Sequence, residues 1–160
     1  MRTCTQNRRS GAVAVETAVV LSVVCMLIFG FLIGGIGVFR YQQVACLAQE
    51  GARWASVRGG DYQKEMNLTP PTKQQIVTQA VMPLAAGMNS AGLTVDVVWV
   101  DQGSGIAWDW DLATKDVRSI TSSGVYVSNT VRVTVTYQWA PGILTDTITV
   151  QNVCEIPMSY

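Results

Sequence analysis

Histidine is absent from this 160-residue chain. Its absence removes Ser-His-Asp and Cys-His catalysis, histidine ligation of metals and a histidine pH switch. The four cysteines, Cys4, Cys25, Cys46 and Cys154, include no CxxC pair, so a structural zinc site or a thioredoxin-like site has no support. No phosphate-binding loop and no pair of carboxylates at an interpretable spacing occurs either. We therefore expect no enzyme, no cofactor, no metal and no small-molecule substrate.

Charge is also scarce and unevenly placed. Charged residues make up 14% of the chain, against about 25% in ordinary soluble domains, while apolar residues make up 49%. The net charge is zero, yet residues 1–11 hold Arg2, Arg8 and Arg9 without an acid, and residues 12–160 hold 8 basic and 11 acidic residues. No basic patch exists beyond this leader, which argues against a nucleic-acid partner.

The one long hydrophobic run covers residues 17–39, which contain no charged residue. At about 1.5 Å per residue, a helix of this length crosses a hydrocarbon core of about 30 Å. The run exceeds the roughly 7–15 residues of a secretory signal, and the RYQQ that follows fits a signal-peptidase site badly. A lipoprotein site at Cys46 fits no better, because Gln43 stands where an aliphatic residue is expected. The basic leader predicts a cytoplasmic N-terminus and an extracytoplasmic remainder, hence a single-pass protein of the cytoplasmic (inner) membrane.

Three residues of the apolar stretch are candidates for contacts between helices. Glu16 is the only charged residue of the stretch that starts at Ala12, and a carboxylate at mid-bilayer costs roughly 2.5–3.5 kcal/mol on insertion scales. Glu16 is either a functional residue or an interfacial glutamate favoured by the positive end of the helix dipole. Gly30 and Gly34 form a GxxxG pattern that permits close helix approach, although this spacing also arises often by chance.

The segment around Glu16 resembles the processing site of type IV pilins and pseudopilins. The sequence RRSG at residues 8–11 is followed by AVAV and then by Glu16. The resemblance implies that a prepilin peptidase cuts after Gly11 and that Ala12 becomes the N-methylated first residue. It also implies that Glu16 of one subunit pairs with the Ala12 ammonium of a neighbour, since both charges are costly to bury alone. Thr17 departs from the pattern, because phenylalanine often follows this glutamate in the family.

Residues 40–58 predict that the helix continues beyond the membrane. They contain no proline and many helix formers, and Tyr41, Ala45, Ala48, Ala52 and Ala55 recur at helical spacing. We therefore expect one helix from about Val13 to Arg58, stopping at Gly59-Gly60. The sequence ACLAQEGARWASVRGG in this part resembles the post-membrane stretch of TadE-like proteins, which are pseudopilins or minor pilins of tight-adherence (Tad, or Flp) pili.

The TadE-like resemblance covers about residues 8–60. Its implied partners are the membrane, a prepilin peptidase, other pilins or pseudopilins and the Tad secretion machinery. It also implies that the protein stays in the cytoplasmic membrane or is incorporated in a pilus.

The remaining residues predict a small α+β domain with an antiparallel sheet of three or four strands. Thr72 and Gln75 form a capping box for a second helix up to about Met88, which Pro83 should kink or divide. Strong alternation then marks three strands, the last two joined through Ala140, Pro141 and Gly142. We expect a leader at 1–11, a transmembrane and projecting helix at 12–59 and an extracytoplasmic domain at 60–160. The core-facing strand residues are expected to be Leu93, Val95, Val97 and Trp99; Val131, Val133, Val135, Tyr137 and Trp139; and Ile148, Val150, Cys154 and Ile156, with Asn152 interrupting the third strand.

Residues 101–124 are expected to form a long irregular segment, in which the sequence WDWD at 108–111 stands out. It predicts either a partner-contact loop or a surface loop whose tryptophans tuck against the sheet. A calcium site from Asp101, Asp109, Asp111 and Asp116 is an alternative, although the spacing does not match an EF-hand. Cys46 and Cys154 are both extracytoplasmic in this topology and form a possible disulfide.

The sequence leaves two candidate functions. The first is a TadE-like pseudopilin or minor pilin that takes part in assembling an adhesive pilus. The second is an unprocessed single-pass anchor or scaffold protein with an extracytoplasmic interaction domain. Processing after Gly11 distinguishes them.

Overall fold

The computed structural model describes residues 7–140 and 146–159. The chain divides into two compact units, Met1–Phe39 and Arg40–Tyr160. Helix α1 (Asn7–Ser56) contributes to both, and it ends two residues before the predicted Arg58. Its portion Gly11–Ser56 is long and apolar enough to cross a membrane, which agrees with the predicted span.

The first unit consists of helix α1 alone among the described residues. Residues 11–39 are exposed throughout, apart from Cys25, Ile33 and Gly37, which are partly exposed. The hydroxyl of Thr17 donates to the carbonyl of Val13, and that of Ser22 donates to the carbonyl of Ala18 at 2.9 Å. These polar groups are therefore satisfied inside the helix, as a lipid environment requires.

The second unit begins with the last four turns of α1, after which the chain forms two short helices. Helix α2 (Gly60–Met66) was not predicted, and it ends at Asn67 in the left-handed conformation. Helix α3 (Lys73–Ile76) starts with the predicted capping box between Thr72 and Gln75.

The predicted second helix is divided into three turns of different geometry. Helix α3 continues as a π-helical turn (Val77–Val81) and a 3-10 turn (Met82–Leu84). Pro83 has no N–H to donate to the carbonyl four residues earlier, so a regular helix cannot continue through it. The helical residues stop at Leu84, earlier than the predicted Met88, and the Leu84 side chain is exposed. A 3-10 turn (Ser90–Gly92) then leads into the sheet.

The sheet has four antiparallel strands, which confirms the predicted fold class. In chain order the strands are β1 (Leu93–Asp101), β2 (Ile106–Asp109), β3 (Arg118–Ile120), β4 (Tyr126–Ser128), β5 (Thr130–Trp139) and β6 (Ile148–Pro157). The main sheet has the order β2-β1-β5-β6, and β3 pairs with β4 in a separate hairpin. Strands β1, β5 and β6 are the three predicted ones.

Two details of the predicted strands are wrong. Strand β6 runs through Asn152 without interruption, and residues 101–124 are not irregular throughout, since β2 and β3 lie within them. Strands of three or four residues are too short to show a clear alternation. The predicted connection through Pro141 and Gly142 lies outside the described residues.

The core lies between residues 40–56 of α1 and one face of the sheet. The buried side of α1 includes Val44 and Leu47, whereas Tyr41, which shares the helical spacing of the alanines, is exposed. A Cβ atom on Gly51 would meet Val81 Cγ2 at 3.2 Å and Val133 Cγ1 at 3.3 Å. Small residues thus let the helix backbone lie close to the sheet. The main core residues are Val44, Leu47, Ala48, Ala52 and Ala55 of α1 and Val97, Trp99, Val131, Val133, Val135 and Tyr137 of the sheet.

Candidate functional site

The predicted processing segment lies inside α1. Gly11, Ala12 and Glu16 are all exposed, and a Cβ atom on Gly11 would meet no described atom within 4 Å. The carboxylate of Glu16 makes no hydrogen bond and no ion pair with the side chains that the structure describes, those of residues 11–140 and 146–159. The segment therefore presents a carboxylate on a helix that is otherwise apolar around it.

The two glycines of the GxxxG pattern are also open to their surroundings. Among the described residues, nothing lies within 4 Å of a Cβ atom placed on Gly30 or Gly34. Larger apolar side chains stand on either side of them, which leaves a shallow groove along this face of α1. The groove is lined by Val23, Met26, Leu27, Gly30, Phe31, Gly34, Gly35 and Val38.

In the second unit, Lys73 interacts with the carboxylates of three aspartates near the end of β2. Its ammonium pairs with Asp96 and with Asp109, the latter at 3.4 Å, and its backbone N–H donates to Asp111 Oδ1 at 2.8 Å. The hydrogen bond with Asp96 raises the pKa of Lys73. The backbone N–H of Asp111 and the charge of Lys73 lower the pKa of Asp109.

The four aspartates proposed for calcium are not brought together. Asp109 and Asp111 interact with Lys73, whereas Asp101 accepts hydrogen bonds from Ser104 Oγ at 2.7 Å and from the Gly103 N–H at 2.9 Å. Within residues 7–140 and 146–159, no three His, Cys, Asp or Glu side chains lie close enough to hold a metal ion. The carboxylates of Asp101, Asp109 and Asp111 instead fix loop conformations.

The two tryptophans of the WDWD sequence have different environments. Trp110 is completely buried in the core, and its indole N–H donates to the carbonyl of Pro71 at 2.7 Å. Trp108 is 49% exposed and stands beside a cleft lined by Trp99, Leu112 and Ala113. One tryptophan therefore packs against the sheet, as one interpretation expected, and the other is open to a partner.

Cys46 and Cys154, the predicted disulfide pair, are free cysteines in the structure. Cys46 is exposed on α1, whereas Cys154 lies partly buried on β6, and this burial raises the pKa of its thiol. The bridge remains a prediction that a non-reducing gel can test.

Sequence reasoning missed Asn129, which joins the β3–β4 hairpin to the main sheet. It is completely buried. Its side-chain oxygen accepts from the Gln102 N–H at 3.0 Å and from Ser119 Oγ at 2.7 Å, while its amide donates to the Asp116 carbonyl at 2.9 Å. A single asparagine before a strand gives no sequence signal of such a position, because its partners come from other parts of the chain.

Glu155 on β6 is a second group that the sequence did not reveal. It accepts hydrogen bonds from Thr130 Oγ1, from Arg132 Nε at 2.8 Å and from Gln102 Nε2 at 3.2 Å. The bond from Thr130, followed by those from Arg132 and Gln102, lowers the pKa of Glu155. The carboxylate thus connects β6 and β5 with the turn that follows β1.

Comparison with known proteins bears on the N-terminal part of the chain. Residues 11–53 match the family model described as "TadE-like protein". No curated protein and no solved structure shows significant similarity to the chain. The match begins at Gly11 and covers Glu16, the apolar run and most of the alanine-rich turns. The TadE-like family is a family of pilus components, so the match indicates a protein associated with Tad pili. Residues 11–53 are therefore a TadE-like segment, as the resemblance of their residues indicated.

Proposed function

We propose that this chain is a pseudopilin or minor pilin that takes part in assembling an adhesive Tad/Flp-type pilus. The observation that carries the proposal is the TadE-like segment at residues 11–53, which starts at the glycine of the processing site. In this proposal a prepilin peptidase cuts after Gly11 on the cytoplasmic face. The helix stays in the cytoplasmic membrane, or enters the pilus, with the sheet on the outside.

The environment of Glu16 supports a role in assembly. An ionised carboxylate in an apolar helix is unfavourable in lipid, and that of Glu16 has no partner among the side chains of residues 11–140 and 146–159 of its own chain. Cleavage after Gly11 creates an ammonium group on Ala12. Pairing of Glu16 with this group on a neighbouring subunit would satisfy both charges and fix the axial register of the two helices.

The open groove around Gly30 and Gly34 supports the same role. In a bilayer, helices associate through close packing and not through expulsion of water, so small residues at the contact are favourable. The partners in this proposal are other pilins or pseudopilins, the prepilin peptidase and the Tad secretion machinery.

Mass spectrometry of the full-length protein, expressed in a host with an active prepilin peptidase, tests the proposal. We expect a membrane-extracted chain that starts at Ala12 and carries an N-terminal methyl group. The matched control is Gly11→Val, in which the larger side chain should prevent cleavage and leave the leader attached. An uncleaved wild-type chain in this host would overturn the proposal and favour the unprocessed anchor or scaffold.

A further inference from the structure

The sheet of the second unit ends in two different edge strands. Strand β6 forms one edge and is ten residues long, and β2 forms the other edge and is four residues long. Proteins usually protect an edge with lysine, proline, a bulge or a covering segment. Strand β6 has no lysine, one charged residue, Glu155, and a proline only at its last position, Pro157. Its sequence therefore leaves the edge available for another strand.

Both edges expose large apolar side chains. On β2, Ile106 is 50% and Trp108 49% exposed, and on β6, Ile148 is 41% and Val153 52% exposed. Trp108 stands directly opposite Trp99, so Ile106 and Trp108 lie on the sheet face that packs against α1. Ile148 lies on the same face, two residues from the buried Val150. The apolar surface thus continues to both edges on one face of the sheet.

The strand directions allow one edge to pair with the other in a second copy. Every neighbouring pair in the order β2-β1-β5-β6 is antiparallel. With four alternating strands, β2 and β6 run in opposite directions. If a second copy is placed beside the first without rotation, β6 of one copy meets β2 of the next as an antiparallel pair, which is a favourable ladder geometry.

The direction of α1 distinguishes this arrangement from pairing of two β6 strands. The buried residues Val44, Leu47, Ala48, Ala52 and Ala55 extend over three turns, so this part of α1 lies along the sheet. Antiparallel pairing of β6 with β6 rotates one copy by a half-turn about an axis perpendicular to the sheet, which reverses its α1. The apolar run directly precedes Arg40 in the chain, so each copy is joined to the membrane at the N-terminal end of this part of α1. Pairing of β6 with β2 keeps these ends on the same side in all copies, whereas pairing of two β6 strands puts them at opposite ends. This step rests on the membrane anchoring in the proposed function.

We propose that copies of this chain associate head to tail through their sheets, with β6 of one copy pairing with β2 of the next. The occupant of the β6 edge is thus a second copy of the chain. Because β2 has only four residues, the contact makes few hydrogen bonds, and it depends on the membrane to hold the copies in one plane at high effective concentration. The association is heterologous, so it can repeat from copy to copy.

Disulfide crosslinking of the full chain in membranes tests the proposal. The four native cysteines are replaced by alanine, and Ala107→Cys on β2 or Gln151→Cys on β6 is introduced. Both positions are exposed and lie on the sheet face that points away from the core. We expect a crosslinked dimer when the two single variants, carrying different tags, are expressed together, and a ladder of larger products from the double variant. Thr149→Cys and Val153→Cys sample the neighbouring registers of β6.

The control is Gln49→Cys, at an exposed position of α1, which should give no ladder. Self-crosslinking of a β6 variant without any β2–β6 product would overturn the proposal, as would the absence of product at all three β6 positions. Adding Val153→Lys should reduce the β2–β6 product at least severalfold, because a charged edge disfavours strand addition. An undiminished product would contradict pairing at this edge. Tryptophan fluorescence verifies that each variant is folded. The mass of the mature chain, read from the same membranes, tests the proposed function separately from strand pairing.

Discussion

Helix α1 has two parts that follow different rules. Residues 17–39 contain no charged residue and are largely exposed in the chain, which is typical of a helix that lipid surrounds. Residues 40–56 bury one side, composed mainly of small residues, against the sheet of the same chain. A continuous helix backbone therefore does not indicate whether lipid or protein surrounds the helix. The size and spacing of the side chains determine the environment of each part.

The largest expected difference between the two parts comes from removing a leucine side chain. Leu47 is 1% exposed and Leu27 is 58% exposed. Leu47→Ala leaves a cavity and should lower the free energy of unfolding by about 2–5 kcal/mol, whereas Leu27→Ala should leave it unchanged. All five tryptophans lie at residue 54 or later, so thermal unfolding of the full chain in detergent, followed by tryptophan fluorescence, reports the second unit. Equal losses of stability would contradict the division of α1.

A smaller difference is expected from filling a glycine position. Gly51→Val brings a branched side chain against Val81 and Val133, which already stand 3.2 and 3.3 Å from an ideal Cβ atom. Overpacking of this kind costs about 1–3 kcal/mol. The matched control is Gly34→Val, whose Cβ atom meets nothing within 4 Å among the described residues. The same fluorescence measurement should show a lower melting temperature for Gly51→Val only. An unchanged melting temperature for Gly51→Val would mean that α1 and the sheet are less closely packed than these distances indicate.

The smallest expected effect is on the pH dependence of stability, and it distinguishes Glu155 of the second unit from Glu16 of the first. Hydrogen bonds from Thr130, Arg132 and Gln102 lower the pKa of Glu155. Its contribution to stability is therefore present above the unfolded pKa of about 4.3 and is lost as the pH falls through the lower folded pKa. Melting temperatures measured from pH 6 to pH 3 should fall less steeply in Glu155→Gln than in wild type.

The control is Glu16→Gln, which should leave this acid dependence unchanged because the Glu16 carboxylate has no hydrogen-bond or ion-pair partner among the side chains of residues 11–140 and 146–159. A flattened pH dependence in Glu16→Gln, or an unaltered one in Glu155→Gln, would show that the acid sensitivity arises from other carboxyl groups.

Much of the fold could be predicted because the sequence patterns that specify it are local, and most of them extend over many residues. The apolar run and the alternation in β1 and β5 each extend over enough residues to specify one structure, and the capping box at Thr72 is a short motif with its own specific pattern. The short strands β2, β3 and β4 and helix α2 lack such length, so tertiary contacts determine them. Gly60, for example, starts α2 where its N–H donates to the carbonyl of Lys115 at 2.8 Å, a partner that no local pattern indicates.

The candidate site divides in the same way. The sequence by itself determined the membrane-crossing helix and the segment with Gly11, Ala12 and Glu16, because a helix in lipid depends on its own residues and needs no distant partner. Only the tertiary structure decided that Trp110 is buried and Trp108 exposed, that Lys73 gathers the aspartates, and that β2 and β6 end the sheet. These features arise where residues far apart in the chain come into contact. The packing of the whole second unit determines which residues make these contacts.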